Sequence, residues 1–174
     1  MIVLIPDPGV GLYNAIPNAL QVIRSNVNQS WIVAGNTLYT SNLLKPDKNL
    51  SLEQIQRVVL AIAWHPLNDI NSSFVGQAQS LWKIDPIDLT WRTATSYDAV
   101  LVLSKALTLT AIPTRIGIQK TLAKPLFSVK GATGLIQFQG GDRLNGTITM
   151  VGVRRNCNSS GFVFTPSDRL LVCY

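Results

Sequence analysis

Histidine is almost missing from this chain of 174 residues, with His65 the single example, and only two cysteines accompany it. One imidazole excludes a histidine-based metal cluster, and two thiols are too few for a thiolate zinc site. Charge is scarce as well: 14% of residues are charged against 47% apolar, the reverse of the balance that keeps a chain disordered. Long apolar runs are also lacking. The longest, Val58 to Trp64 and Ala99 to Leu103, fall well short of the roughly eighteen residues of a membrane span and read as buried strand and buried helix.

Catalytic and nucleotide signatures are missing too. No Gly-x-Ser-x-Gly elbow occurs. Gly9-Val10-Gly11 follows an apolar run, but no third glycine completes it and no Gly-Lys-Ser/Thr follows. His65, placed at a strand end before Pro66, reads as structural rather than as a general base. No enzyme activity and no cofactor are expected. The 15 basic residues exceed the 9 acidic ones, giving a net charge of +6. They are scattered singly, only Arg154-Arg155 being adjacent, so a mildly basic solvated surface is expected and no nucleic-acid partner.

What is present is an alternation. Ile2 to Ile5 is a continuous apolar run closed by Pro6-Asp7-Pro8-Gly9, the pattern of a buried parallel strand. Ile16, Leu20, Ile23 and Val27 recur at helical spacing, with Pro17 near the start of that helix. Trp31 to Ala34 is a second strand ended by Gly35-Asn36-Thr37, and Arg57 to Trp64 a third. Asn71-Ser72-Ser73 offers caps for a helix whose Phe74, Ala78 and Leu81 share a face. The longest helix is expected from Arg92 to Thr108, apolar all round at its centre, and an amphipathic one from Pro113 to Leu122. Beyond Gly131 the texture turns to short strands: Leu135 to Phe138, Thr147 to Val153, Phe162 to Phe164 and Leu170 to Cys173. The order makes the fold class α/β, and in such sheets ligands sit at the carboxyl ends of the strands.

Cys157 and Cys173 both lie in the last eighteen residues. An even pair closing a short terminal loop suggests a disulfide and an oxidising compartment, the alternative being two thiols on neighbouring strands. No secretory signal is visible. Met1 leads straight into the first apolar run, as a chain cut inside a fold would.

Two stretches carry a resemblance. Thr93-Ala94-Thr95-Ser96-Tyr97-Asp98-Ala99-Val100, continuing to Ala106-Leu107, is similar to the Tyr-Asp-Ala helix of type I periplasmic binding proteins of the leucine/isoleucine/valine-binding family. Gly131-Ala132-Thr133-Gly134-Leu135-Ile136-Gln137-Phe138, followed by Gly141-Asp142-Arg143, resembles that family's Gly-x-x-Gly-x-Ile-x-Phe-x-x-x-Gly-Asp segment. The similarity covers essentially all of this chain and only the second half of the family. It implies a two-lobed architecture, each lobe a parallel sheet flanked by helices and here incomplete. Residues 1–63 would be part of lobe two, 64–138 part of lobe one, 139–144 a hinge crossing, and 145–174 a return to lobe two with a strand-rich tail.

The function implied is an extracytoplasmic, periplasmic receptor of a bacterial ABC uptake system, closing two lobes on a small-molecule ligand and presenting it to permease subunits. Its alternative is a ligand-sensing domain of a signalling receptor with the same fold. The cleft loops would supply Asp7, Gly9, Asn36, Thr37, Trp64 and His65 as ligand-binding candidates. Tyr97, Asp98, Gly134, Phe138, Gly141 and Asp142 would be hinge or packing residues, with Asp98 served by the positive end of its helix. Amino-acid-binding members often carry a carboxylate where this chain has Asn36-Thr37, pairing it with the ligand's ammonium. Its replacement opens the ligand class to amides, sugar-like and other neutral solutes unless Asp7 substitutes. Half of each lobe would be absent, so this chain is expected to bind ligand weakly and to self-associate through uncovered core.

Overall fold

The computed structural model describes residues 1–6, 12–28, 30–44, 50–70, 72–155 and 161–168. Asp7, Gly9, Cys157 and Cys173 lie outside them, as do most of the expected turn before Phe162 and the expected final strand. The chain divides into two compact units, residues 1–62 with 149–174 and residues 63–148.

The first unit is built on a five-stranded sheet. Its strands are β1 (Ile2–Leu4), β2 (Ile32–Ala34), β3 (Val58–Ile62), β7 (Thr149–Arg155) and β8 (Phe162–Pro166), in that spatial order. The first three run parallel and the last two antiparallel, so the sheet is mixed. The β-branched runs that form β2 and β3 are buried on alternate residues, Ile32 and Ala34 in one, Val58, Leu60 and Ile62 in the other. Helix α1 (Leu12–Arg24) begins ahead of its expected start, which leaves Pro17 inside it. Pro17 has no N–H for the carbonyl one turn back, so that bond is lost within the helix. Two short helices follow, α2 (Ser41–Leu44) and α3 (Leu52–Gln56). A capping box opens α3, Ser51 Oγ accepting from Gln54 N while Gln54 Oε1 accepts from Ser51 N. The Gln54 amide also donates to Arg24 O at 2.8 Å, tying α3 to the end of α1.

The second unit holds α4 (Ser73–Trp82), α5 (Trp91–Leu109) and α6 (Arg115–Leu122), then a three-stranded antiparallel sheet of β4 (Val129–Gly131), β5 (Gly134–Gln139) and β6 (Asp142–Leu144). Ser72 caps α4 and Thr114 caps α6, each side-chain oxygen accepting a backbone N–H three residues on. Two apolar clusters fill this unit. One joins Trp64, Phe74, Val75, Ala78, Leu89 and Ala94; the other joins Val102, Ala106, Phe127, Val129 and Ile136. Helix α5 serves both through one stripe, Ala94, Asp98, Val102 and Ala106, spaced four apart.

Two expectations about helix burial are corrected here. The centre of α5 is not buried all round: Val100, Leu103 and Leu107 are exposed, because the described residues cover only the opposite face. Leu81 does not share the buried face of α4 either; it is 73% exposed, and Val75 joins Phe74 and Ala78 in the core instead. Residues 139–144, read from the sequence as a crossing, form the tip and return strand of the β5–β6 hairpin. The chain leaves the first unit after Ile62 and re-enters it at Thr149.

Candidate functional site

Because β1, β2 and β3 are parallel, their carboxyl ends share one edge of the first unit's sheet. At the end of β2, Gly35 turns the chain into a single 3-10 turn, Asn36–Leu38. Leu38 N donates to Gly35 O at 3.3 Å and Tyr39 N to Asn36 O at 3.1 Å. The turn is anchored from below. Leu38 is fully buried, and Tyr39 stacks on Phe164 with ring centroids 4.2 Å apart. Burial pushes the Tyr39 hydroxyl up to a pKa of about 12. Above these anchors Asn36 and Thr37 are half-buried, and among the described residues neither side chain has a hydrogen-bond partner. Two of the expected ligand-binding residues thus stand on one turn held by buried neighbours, with an amide and a hydroxyl uncommitted.

Trp64 and His65 lie near the start of the second unit, and both are buried. Trp64 meets Phe74 edge-on at 5.6 Å, and Phe74 in turn lies 4.8 Å from Tyr97. His65 caps the 3-10 turn Pro66–Asn68, its Nδ1 accepting the Leu67 N–H at 3.2 Å. An accepting Nδ1 assigns the ring hydrogen of the neutral imidazole to Nε2. This nitrogen closes the turn that opens the second unit.

The two motif stretches meet inside the second unit. Asp98, buried on α5, reaches the turn between β4 and β5 and accepts the Ala132 N–H at 2.6 Å and the Thr133 N–H at 3.1 Å. The Thr133 hydroxyl donates to the same carboxylate. Arg143, one residue beyond Asp142, closes the arrangement by donating to Thr133 Oγ1 at 2.6 Å and to Thr133 O at 3.1 Å. Helix α5 begins at Trp91, so Asp98 stands in its third turn, beyond the reach of the helix N-terminus; the turn's N–H groups stabilise the carboxylate instead. Gly131 is required by this contact, since a Cβ there would run into Asp98 Oδ1 and stand 2.9 Å from Ile136 Cδ1. Gly134 has φ +96° and Gly141 the same value, a region L side chains avoid. Phe138 packs on the second apolar cluster, 6.4 Å from Phe127, while Asp142 is exposed at the start of β6. Thr133 and Arg143 were the members that motif reading left without a role, although both lie within the quoted segments.

Two depressions, of about 510 and 350 Å³, border the free edge at β1 and α1, and neither includes Asn36 or Thr37. Among the described residues no group of histidine, cysteine and carboxylates could hold a metal ion. No helix among them is long and apolar enough to cross a membrane.

No protein-family model and no curated protein sequence matches the chain. Solved structures do. A leucine-binding protein from Thermotoga maritima superposes with a TM-score of 0.63 at 20% identity, over 95% of this chain and 50% of its own. An ABC transporter substrate-binding protein from Desulfitobacterium hafniense gives 0.61 at 17% identity, over 95% of this chain and 44% of its own. This chain therefore spans about half the length of those structures. The likeness shows the fold: the α/β, type I periplasmic-binding-protein architecture that the two motif stretches imply.

Proposed function

We propose that this chain is the solute-binding part of a type I periplasmic receptor serving an ABC-type uptake system, working outside the cytoplasm and delivering its solute to membrane permease subunits. The observation that carries this reading is the uncommitted amide of Asn36 and hydroxyl of Thr37 at the carboxyl edge of a parallel sheet, where open α/β sheets hold ligands. It is supported by the likeness to a leucine-binding protein and an ABC transporter substrate-binding protein. Asn36 and Thr37 carry the polar contacts to the solute, and Asp7, Gly9, Trp64 and His65 are the further candidates. The receptor performs no chemistry of its own.

Neither Asn36 nor Thr37 offers a charge for an ammonium group, so an amide or other neutral polar solute is as well served as an amino acid. Calorimetry on the gene product that carries this chain, titrated with leucine, leucinamide and small aliphatic amides, tests the reading. One of these should bind, and Asn36→Ala together with Thr37→Val should weaken it by roughly a hundredfold, two lost hydrogen bonds at about 1.4 kcal/mol each. Binding unmoved by the double variant, or binding of none of the panel, would remove the reading.

A further inference from the structure

A cavity within the second unit lies on elements that contribute nothing to the reading above. Helix α6 and the β5–β6 hairpin enclose a cavity of about 660 Å³, lined by Arg115, Ile118, Gln119, Leu122, Phe138 and the Gly140–Gly141 turn among others. Arg115, Ile118, Gln119 and Leu122 fall at helical spacing, so they share one face of α6. Ile118, Leu122 and Phe138 belong to the packed margin of the apolar cluster around Phe127, which makes the floor apolar and fixed. Neither Arg115 nor Gln119 has a side-chain partner among the described residues. The hairpin tip is two glycines with positive φ, and nothing lies within 4 Å of where their side chains would stand, so the far wall is low and open.

We propose that this cavity binds a small organic carboxylate with an apolar tail. A guanidinium presents a planar pair of N–H donors that matches a carboxylate, a geometry no neutral head group uses as well. The Gln119 amide, one turn along, supplies a further donor beside it. The tail lies across Ile118, Leu122 and Phe138, and its burial supplies the remaining affinity. The volume falls in the range of small-molecule sites, and a single cationic anchor at one end of an apolar trough fits one carboxylate better than a peptide.

Octanoate and octanol are the probes, followed by two-dimensional NMR of the 174-residue chain. Octanoate should shift the amide signals of Ile118, Leu122, Gly140 and Gly141 saturably at concentrations below about 10 mM. Octanol should bind roughly tenfold more weakly, and R115Q should reduce octanoate to the level of octanol. Arg115 is exposed, so its replacement leaves the fold intact. Equal shifts by the two probes, octanoate binding unchanged in R115Q, or no saturable shift at all would each overturn the proposal, the first by reducing the cavity to a generally wettable apolar surface.

Discussion

Asp98 accepts both the backbone N–H and the hydroxyl of Thr133, which lies 35 residues further along the chain. The hydroxyl that donates to the carboxylate accepts in turn from Arg143. Helix α5, the β4–β5 turn and strand β6 are thereby joined in a relay that begins at the Asp98 carboxylate and passes through Thr133. Replacing Asp98 with alanine leaves one buried and one half-buried N–H group unsatisfied, so Asp98→Ala should destabilise the second unit by about 3 kcal/mol. Thr133→Val removes only the hydroxyl and should cost about 1.5 kcal/mol. Hydrogen exchange of the β4 and β5 amides reads both losses, and the double variant should cost less than the sum of the singles.

The absence of a side chain at Gly131 is a separate demand from the conformation of Gly134. Gly131→Ala should be destabilising by roughly 2 kcal/mol through collision with Asp98 and Ile136. Gly134→Ala, strained only by its positive φ, should cost about 1 kcal/mol. The Gly131 penalty should shrink when Asp98 is also alanine, since the nearest colliding atom is then gone. Thermal unfolding of the four variants measures the order.

Tyr39 links stability to alkaline pH. Burial favours its neutral form, raising the folded-state value to about 12 against about 10 in the unfolded chain. Between these values the folded state holds the proton more tightly than the unfolded state does, so stability falls as pH rises through the window. The contribution is fully present below pH 10. Tyr39→Phe should flatten the decline in urea midpoint between about pH 10 and 12. It should also remove a phenolate step near pH 12 from the absorbance titration at 295 nm.

Val100, Leu103 and Leu107 leave an apolar stripe on α5 open to solvent. Such a stripe on a free chain promotes association. The 174-residue chain should self-associate in sedimentation, and Leu103→Lys with Leu107→Lys should weaken that association by at least roughly tenfold while leaving the helical signal unchanged. Sedimentation as a monomer with both leucines in place would count against this role for the stripe.

Strands β2, β3, β5, β7 and β8 fall close to where their apolar runs and bounding glycines or prolines indicate, because a strand's period of two is written locally. Pairing across distance is not. Asp98 and Thr133 each belong to a segment visible in the sequence, yet their contact depends on how α5 lies beside the β4–β5 turn, and no local pattern encodes that. The start of α5 was legible to within one residue, Trp91 against an expected Arg92, and the partners of Asp98 were not, because they come from the β4–β5 turn rather than from the helix end. The burial of α5 was misread for a related reason. A run such as Ala99-Val100-Leu101-Val102-Leu103 records affinity for apolar neighbours, whereas exposure depends on whether those neighbours are there. At the candidate site the Gly35-Asn36-Thr37 turn was legible from its break after β2. The stacking of Tyr39 on Phe164, which anchors that turn, joins residues far apart in sequence and left no trace.

Ile62 and Thr149 are direct partners in the β3–β7 ladder. The whole of residues 63–148 is therefore an insertion whose entry and exit sit side by side on neighbouring antiparallel strands. Topologically it occupies the place of a hairpin loop, and the first unit's sheet has no need of it for continuity. Closing so long a loop carries an entropic cost that grows only with the logarithm of its length. The cost falls further once the insert has collapsed into its own core and brought its ends together. The strand ladder of the first unit is thus arranged to tolerate excision or exchange of the second, a modularity carried by one pair of adjacent residues.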